Sequence, residues 1–236
     1  MKRPKSSVFS LLGAALALSL AALGCGASID AAAKSDVDRR VAELRAPAQV
    51  FGTPSSATPM PFAVGQWVTY KFVDDKGQPS FLTLKLVGQE GAAFWYETKN
   101  ESYYGKSGTR MLVDFGDRKR PESISIKSAK LRDNKGNVTE YPENMIGLMN
   151  SLLRGQLGPI VIDWTGMPQE DVQAPAGRFA GCYKGNSEVS FAGFKTRSVV
   201  WGHTAVPLSG MVKSQGENNS NGELVAFGTS GATSDF

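Results

Sequence analysis

A series of short runs of β-forming residues follows the chain from about residue 64 to residue 228. The runs are rich in Val, Ile, Phe, Tyr, Trp and Thr, which fit a half-buried pleated surface. Hairpin signals such as Asp74-Asp75-Lys76-Gly77 separate them. The runs are Trp67–Val73, Ser80–Val87, Ala93–Lys99, Arg110–Phe115, Ser123–Leu131, Val138–Tyr141, Arg178–Lys184, Ser198–His203, Met211–Ser214 and Glu223–Phe227. This spacing predicts a mostly β (α+β) fold built on a single curved antiparallel sheet or half-barrel.

One segment between the two groups of strands has a different period. From Glu143 to Gln156, apolar residues recur with the spacing of a helix. Pro142 suits a helix start, and Gly155 with Gly158-Pro159 ends it. The apolar positions are Met145, Ile146, Leu148, Met149, Leu152 and Leu153. We therefore predict one amphipathic helix packed on a face of the sheet.

The N-terminal region has the pattern of an export signal. A cationic start from Met1 to Lys5 precedes an uncharged, apolar-rich run from Ser6 to Leu23. That run is marginal for a transmembrane helix, which needs about 20 residues. The stretch Ala22-Leu23-Gly24-Cys25-Gly26 resembles the bacterial lipobox, in which cleavage leaves cysteine as the first mature residue and its sulfur carries a diacylglycerol.

The lipobox resemblance implies a signal peptide at residues 1–24 and an acyl-chain anchor, with chains such as palmitate, on Cys25. In enterobacterial lipoproteins, an Asp directly after the cysteine favours retention in the inner membrane. This chain has Gly26 there, so the resemblance favours the outer membrane of a Gram-negative bacterium, with the protein facing the periplasm. Two alternatives stay open: a plain signal peptide cut near Ala27, and an uncleaved anchor. Cys25 is incidental in both.

Residues 25–63 are predicted to be a tether. Ser35-Asp36-Val37-Asp38 has the pattern of a helix cap, so a short helix is expected there. The four prolines at 47, 54, 59 and 61 predict a semi-stiff, extended linker. A single β-rich domain then spans residues 64–228, and residues 229–236 are predicted to form a flexible tail.

Composition limits the classes of function. Loss of Lys2, Arg3 and Lys5 with the signal leaves 23 of the 26 Lys and Arg against 22 Asp and Glu. A nearly neutral body argues against a nucleic-acid partner, which needs a clustered basic face. If Cys25 is acylated, Cys182 has no intrachain partner. Cys182 is then either a buried inert thiol or, given a neighbouring base, a reactive one.

Catalytic and metal signatures are absent from the sequence. His203 is the only histidine, and no Gly-x-Ser-x-Gly stretch surrounds a serine. A zinc site needs three or four His, Cys or acidic ligands. Gly105-Lys106-Ser107-Gly108 lacks the upstream glycine of a phosphate-binding loop. We therefore assign no catalytic residue, metal or cofactor, and expect a non-enzymatic protein.

Large apolar side chains are more numerous than a plain sheet core requires. Simple core packing is one interpretation, and a cavity for an acyl chain or similar ligand is the other. The candidate cavity residues are Met145, Met149, Leu152, Leu153, Trp164 and Trp201.

From Val64 to Gly228 the body resembles the carriers of the bacterial lipoprotein-localisation system (LolA/LolB-like). The matching stretches are Gly65-Gln66-Trp67-Val68-Thr69-Tyr70, Ala174-Pro175-Ala176-Gly177-Arg178-Phe179, Val199-Val200-Trp201, Val206-Pro207-Leu208-Ser209-Gly210-Met211-Val212-Lys213 and Glu223-Leu224-Val225-Ala226-Phe227-Gly228. The resemblance implies an open curved sheet that wraps over helices and leaves an apolar cavity.

Three functions follow as hypotheses. The first is a membrane-anchored, non-enzymatic envelope lipoprotein that binds a lipid or other apolar ligand between sheet and helix. The second is an interaction or scaffold module of an envelope protein complex, motivated by the tether and by exposed strand edges. The third is a hydrolase of unknown type, for which His203 is the candidate residue.

Overall fold

The computed structural model describes residues 28–45, 48–117, 123–157, 164–191, 194–217 and 219–236, with side chains except at 151–157, 188–191 and 194–196. The predicted signal peptide and Cys25 lie outside these residues. The described chain forms two helices, α1 (Ala31–Ala42) and α2 (Glu143–Leu157). Its strands are β1 (Val50–Phe51), β2 (Trp67–Val73), β3 (Pro79–Glu90), β4 (Ala93–Ser102), β5 (Gly105–Asp114), β6 (Ser125–Arg132), β7 (Val138–Glu140), β8 (Gln169–Ala174), β9 (Gly177–Phe191), β10 (Phe194–Gly202), β11 (Met211–Gly216) and β12 (Asn221–Gly228).

All these strands belong to one open, curved sheet, which confirms the predicted mostly β fold. The order is β1-β9-β10-β11-β12-β2-β3-β4-β5-β6-β7, and β8 pairs with β9. Every pairing is antiparallel except that of β1, which runs parallel to β9. Strands β1 and β8 are not predicted, because β1 has two residues and β8 is the polar stretch Gln-Glu-Asp-Val-Gln-Ala.

Two turns of the β2–β7 meander are fixed by aspartates. Asp74 Oδ1 accepts hydrogen bonds from the backbone N–H groups of Lys76 and Gln78, at 2.9 and 2.8 Å. Asp133 makes the same pair of contacts in the β6–β7 turn. Gly77 and Gly136 follow with φ of 78° and 86°, where a side chain would be strained. The Asp/Gly stretches are therefore hairpin turns, as predicted.

The two faces of the sheet differ in what covers them. The inner face carries Val68, Tyr70, Leu82 and Leu84, all at most 1% exposed. Helix α2 packs against β6 and β9. The outer face carries a row of side chains aligned across neighbouring strands: Trp201, Lys213, Glu223, Lys71, Phe81 and Glu101.

Helix α1 packs on the outer face. It begins at Ala31 and not at the predicted Ser35–Asp38 cap, because Asp30 Oδ1 accepts a hydrogen bond from Ala33 N at 2.8 Å. Arg40 lies over the Phe81 ring at 4.2 Å and pairs with Glu101 at 2.5 Å. The predicted short helix of the tether is thus docked on the body.

The segment from residue 48 to residue 63 packs on the body as well, which corrects the prediction of an extended, unpacked linker. Phe51 stacks on Phe179 with ring centroids 4.5 Å apart. Phe62 packs on Phe115 with centroids 4.4 Å apart. Both aromatic rings bury apolar area that a free linker would leave in water, and this outweighs the extending effect of the prolines.

The last residues, assigned from sequence to a flexible tail, lie on the outer face. Glu97 accepts hydrogen bonds from Ser234 Oγ at 2.5 Å and Asp235 N at 2.9 Å. Lys85 pairs with Asp235 at 2.6 Å. Glu97 is 1% exposed, so the tail supplies most of the partners that a buried carboxylate needs.

Candidate functional site

A row of side chains crosses the inner face from β2 to β6. Gln66 lies directly before β2, and its carbonyl accepts a hydrogen bond from Leu86 N of β3 at 2.9 Å, while Gly65 N donates to Leu86 O at 2.7 Å. The register then places Leu86 beside Tyr96, Tyr96 beside Met111, and Met111 beside Ala129. Adjacent strands are about 4.8 Å apart, so Gln66 and Tyr96 are separated by the width of Leu86, about 10 Å between their backbones.

Both polar members of this row carry a buried atom without a hydrogen-bond partner in the described chain. These are Gln66 Oε1 and the Tyr96 hydroxyl. Gln66 is 2% exposed and Tyr96 is 6% exposed. The other Gln66 amide atom donates to Pro61 O at 2.8 Å. Native proteins pair nearly all such groups, and an unpaired one costs about 1–3 kcal/mol.

Neighbouring buried hydroxyls are satisfied, which sets Tyr96 apart. Thr98 and Thr109 bond to one another at 2.7 Å. Tyr70 bonds to Ser209 Oγ at 2.5 Å and donates to Met211 O at 3.1 Å. Burial is the larger cause that raises the pKa of Tyr96, and the nearby Tyr70 raises it further. The hydroxyl therefore stays protonated and can both donate and accept a hydrogen bond.

Helix α2 covers part of the inner face. Ile146 and Met149 are buried in the same core as Tyr96. The Asn150 amide accepts from Ile126 N at 2.7 Å and donates to Ile126 O at 2.9 Å, as a paired strand would. This bond pair fixes α2 to the edge of β6 beyond the end of β7.

The predicted cavity residues are only partly brought together. Met149 and Trp164 lie in the inner core, and Trp164 stacks on Tyr183 at 5.3 Å. Met145 is 38% exposed and lies away from the core. Leu152 and Leu153 are in α2, but their side chains lie outside what the structure describes.

Trp201 is 7% exposed and belongs to the same buried cluster as Trp164, but the strand register places it on the face of the sheet opposite Tyr70. Its indole N–H donates to Glu170. The ammonium groups of Lys184 and Lys213 lie over its ring at 5.1 and 5.8 Å. Trp201 therefore joins a polar cluster on the outer face.

His203 connects the N-terminal segment to the sheet. It is 2% exposed. Its Nε2 lies 3.0 Å from Gly52 O, and its Nδ1 accepts from Ala205 N at 3.1 Å. Burial lowers the pKa of His203. A neutral ring with Nε2 protonated satisfies both contacts, so both nitrogens bind backbone groups.

Cys182 is fully buried and reaches Phe179 O with its sulfur at 3.7 Å. Burial, and next the nearby Asp171 and Glu170, raise the pKa of the thiol to about 12. The nucleophilic form of cysteine is the thiolate. The geometry therefore corresponds to the inert alternative of the two considered from sequence.

Neither a metal-binding cluster nor a membrane-spanning helix occurs among the described residues. No group of three or more His, Cys, Asp or Glu side chains there could hold a metal ion. No helix there is long and apolar enough to cross a membrane.

A groove of about 540 Å³ opens between the ends of β9, β10 and β11, where Asn186, Arg197 and Glu217 line it.

Known proteins and structures show little similarity to this chain. No protein-family model and no curated protein matches the chain. The crystal structure of a Bacteroides fragilis protein, described as exported and with a YmcC-like fold, aligns at 12% identity. The alignment covers 74% of this chain and 100% of that one, with a TM-score of 0.37. This similarity assigns neither family nor function to the chain, and the resemblance to lipoprotein carriers stays a prediction.

The polar atoms of the inner face are the feature that sequence reasoning missed. The alternation of Phe94, Tyr96 and Thr98 with Trp95 and Glu97 could have indicated which face Tyr96 occupies. Which hydroxyls find partners depends on the register across four strands, and no local pattern encodes that.

Proposed function

We propose that this chain is an exported, non-enzymatic lipoprotein of the bacterial cell envelope that binds an apolar ligand between the inner face and α2. The anchor rests on the lipobox-like stretch around Cys25. The outer membrane, on its periplasmic side, is the proposed location, since Gly26 follows the cysteine. Binding rests on one observation: Gln66 Oε1 and the Tyr96 hydroxyl are buried without a hydrogen-bond partner among the described residues.

A ligand with a polar head would satisfy these atoms. Near Leu86, an ester or hydroxyl oxygen of the ligand could accept from Tyr96, and a ligand hydroxyl could donate to Gln66 Oε1, recovering about 1–3 kcal/mol for each group. An apolar chain would have to displace the contacts that now bury Leu82 and Leu84, both 1% exposed. Helix α2 is the element that moves to admit it, with the Asn150 contact as its attachment to the sheet.

The head group should be neutral. The buried polar residues of the described chain include no Lys or Arg. An anionic carboxylate placed there would be an unpaired buried charge, which costs far more than an unpaired hydroxyl. The ligand class is therefore a neutral lipid such as an acylglycerol, and a fatty-acid anion should bind more weakly.

The test uses the mature chain with Cys25→Ser, freed of lipid, so that its own acyl chains cannot occupy the site. We expect saturable binding of a fluorescent monoacylglycerol. The Tyr96→Phe variant should bind about 5–10-fold more weakly, the equivalent of one hydrogen bond. The fluorescent fatty acid at neutral pH is the comparison ligand.

Tyr103→Phe is the matched control. It removes a hydroxyl that donates to Asp38 at 2.6 Å on the outer face, away from the proposed site. Its affinity for the monoacylglycerol should equal that of the parent chain. An absence of saturable binding would contradict the binding function itself. Equal weakening by both variants would show that Tyr96 does not contact the ligand.

A second candidate function, an interaction module of an envelope complex, is favoured by the edge of the sheet. Strand β7 is the last strand, and Val138, Thr139 and Glu140 are all exposed. Such an edge can accept a strand from a partner. A photo-crosslinker at Thr139 should then capture a discrete envelope protein in whole cells, and recovery of the monomer alone would count against this role.

A further inference from the structure

The distance between the anchor and the folded body is much shorter than a 39-residue tether would allow. Helix α1 is docked, and the N–H group of its N-cap, Asp30, donates to Tyr103 O at 2.9 Å. Val37 on α1 is 4% exposed. Lys106 pairs with Asp36 at 3.1 Å, next to the Arg40–Glu101 pair. Helix α1 is therefore bound to the sheet from its N-cap, Asp30, through Arg40.

Five residue steps separate Cys25 from Asp30. A fully extended chain spans at most about 3.6 Å per residue, so the two Cα atoms are at most about 18 Å apart. A free linker reaching to residue 64 would have a root-mean-square length of about 35 Å. Because α1 is docked, the segment between Cys25 and the folded body is short, and it joins the body at one defined point, Asp30.

That point lies at one end of the sheet, which we call the turn end: the β2–β3 turn at 74–78, the β4–β5 turn at 103–104 and the β6–β7 turn at 133–137. Tyr104 joins the three turns. Its hydroxyl donates to Gln78 Oε1 at 3.1 Å, and its carbonyl lies 3.5 Å from Asn134 Nδ2. The turn end is therefore one continuous surface.

We propose that the turn end faces the surface of the lipid bilayer. This rests on the proposed lipid on Cys25, since the acyl chains would fix the cysteine at the membrane interface. The β3–β4 turn then points away from the bilayer, because β4 is ten residues long, about 33 Å. In this orientation the three turns contact the membrane surface, and the domain does not rotate freely relative to the bilayer.

The chemistry of the turn end fits a neutral lipid headgroup layer. Ile29, which precedes the N-cap, is 50% exposed. The turns also present polar groups that can hydrogen bond to headgroups. Acidic residues outnumber basic ones in the three turns: Asp74, Asp75 and Asp133 against Lys76 and Lys135. Attraction to anionic lipid is therefore not required, and the covalent lipid holds the surface in place.

The test uses the full lipidated protein in phosphatidylcholine vesicles that contain a headgroup-labelled acceptor lipid. One fluorophore is attached at Lys76→Cys in the turn end, or at Ala92→Cys in the β3–β4 turn. Both positions are exposed. Cys182 is fully buried and stays unlabelled. We expect energy transfer from position 76 to exceed that from position 92 at least about threefold, given the 33 Å separation.

Insertion of about twenty Gly and Ser residues between Ala27 and Ser28 is the control. It leaves every described contact intact but gives a flexible leash of about 27 Å root-mean-square length. The difference in transfer between the two positions should then disappear.

Equal transfer from both positions in protein that floats with the vesicles would overturn the orientation and leave the lipid anchor standing. Protein that remains soluble would overturn the lipid anchor itself, and the orientation with it.

Discussion

Two buried tyrosines should respond in opposite ways to loss of the hydroxyl. Tyr70 has two hydrogen-bond partners, Ser209 Oγ and Met211 O, and is 0% exposed. Tyr70→Phe leaves buried partners behind and should cost about 1–3 kcal/mol. Tyr96 has no partner for its hydroxyl in the described chain. Tyr96→Phe removes a desolvated group and should be neutral or stabilise the ligand-free fold by about 1 kcal/mol.

Thermal unfolding of the lipid-free Cys25→Ser chain measures both effects. For a domain of this size, 1 kcal/mol corresponds to about 2–4 °C in Tm. Tyr70→Phe should therefore lower Tm by several degrees, and Tyr96→Phe should leave it unchanged or raise it. A Tyr96→Phe variant as unstable as Tyr70→Phe would mean that the Tyr96 hydroxyl is already paired within the folded chain. It would then not be available to a ligand.

Three further predictions concern other buried groups. Glu97→Ala removes the acceptor of the Ser234 and Asp235 hydrogen bonds, so hydrogen exchange at the Asp235 amide should accelerate at least tenfold, equivalent to about 1.4 kcal/mol; unchanged exchange would show that the Lys85–Asp235 pair and the other contacts of this segment hold it without Glu97. The pKa of His203 is lower in the folded chain than its ordinary 6.5, so the unfolded chain takes up the proton first as pH falls. The free energy of unfolding should therefore decrease as pH falls through about 6.5, and His203→Gln should weaken this dependence; an equal dependence in both proteins would exclude His203 as its source. Because the pKa of Cys182 is raised to about 12, a thiol reagent at pH 8 should modify it only after unfolding, and fast native labelling would contradict its burial.

Much of the fold could be predicted from local patterns. The strands of the meander follow from period-two alternation, and their turns from Asp and Gly at fixed places. Helix α2 follows from its apolar period and from Pro142. Each of these signals acts over a few neighbouring residues, and the sequence displays them directly.

The parts that could not be predicted depend on distant contacts. Phe51 finds Phe179 and Ser234 finds Glu97 across more than a hundred residues of chain. The proline content therefore predicted an unpacked linker, whereas the structure shows the segment from residue 48 to residue 63 packed on the body. Trp164 lies outside the strands and stacks on Tyr183, a contact that its neighbours in the sequence do not encode.

Placement at the membrane depends most directly on the chemical state of Cys25. Mass spectrometry of the N-terminal peptide, released from membranes of cells that make the full chain, should find Cys25 as the first residue carrying a diacylglycerol, and Cys25→Ser should release the protein from the membrane fraction. An N-terminus near Ala27, an unmodified Cys25, or a Cys25→Ser variant that still fractionates with membranes would contradict the lipid anchor and the orientation inferred from it.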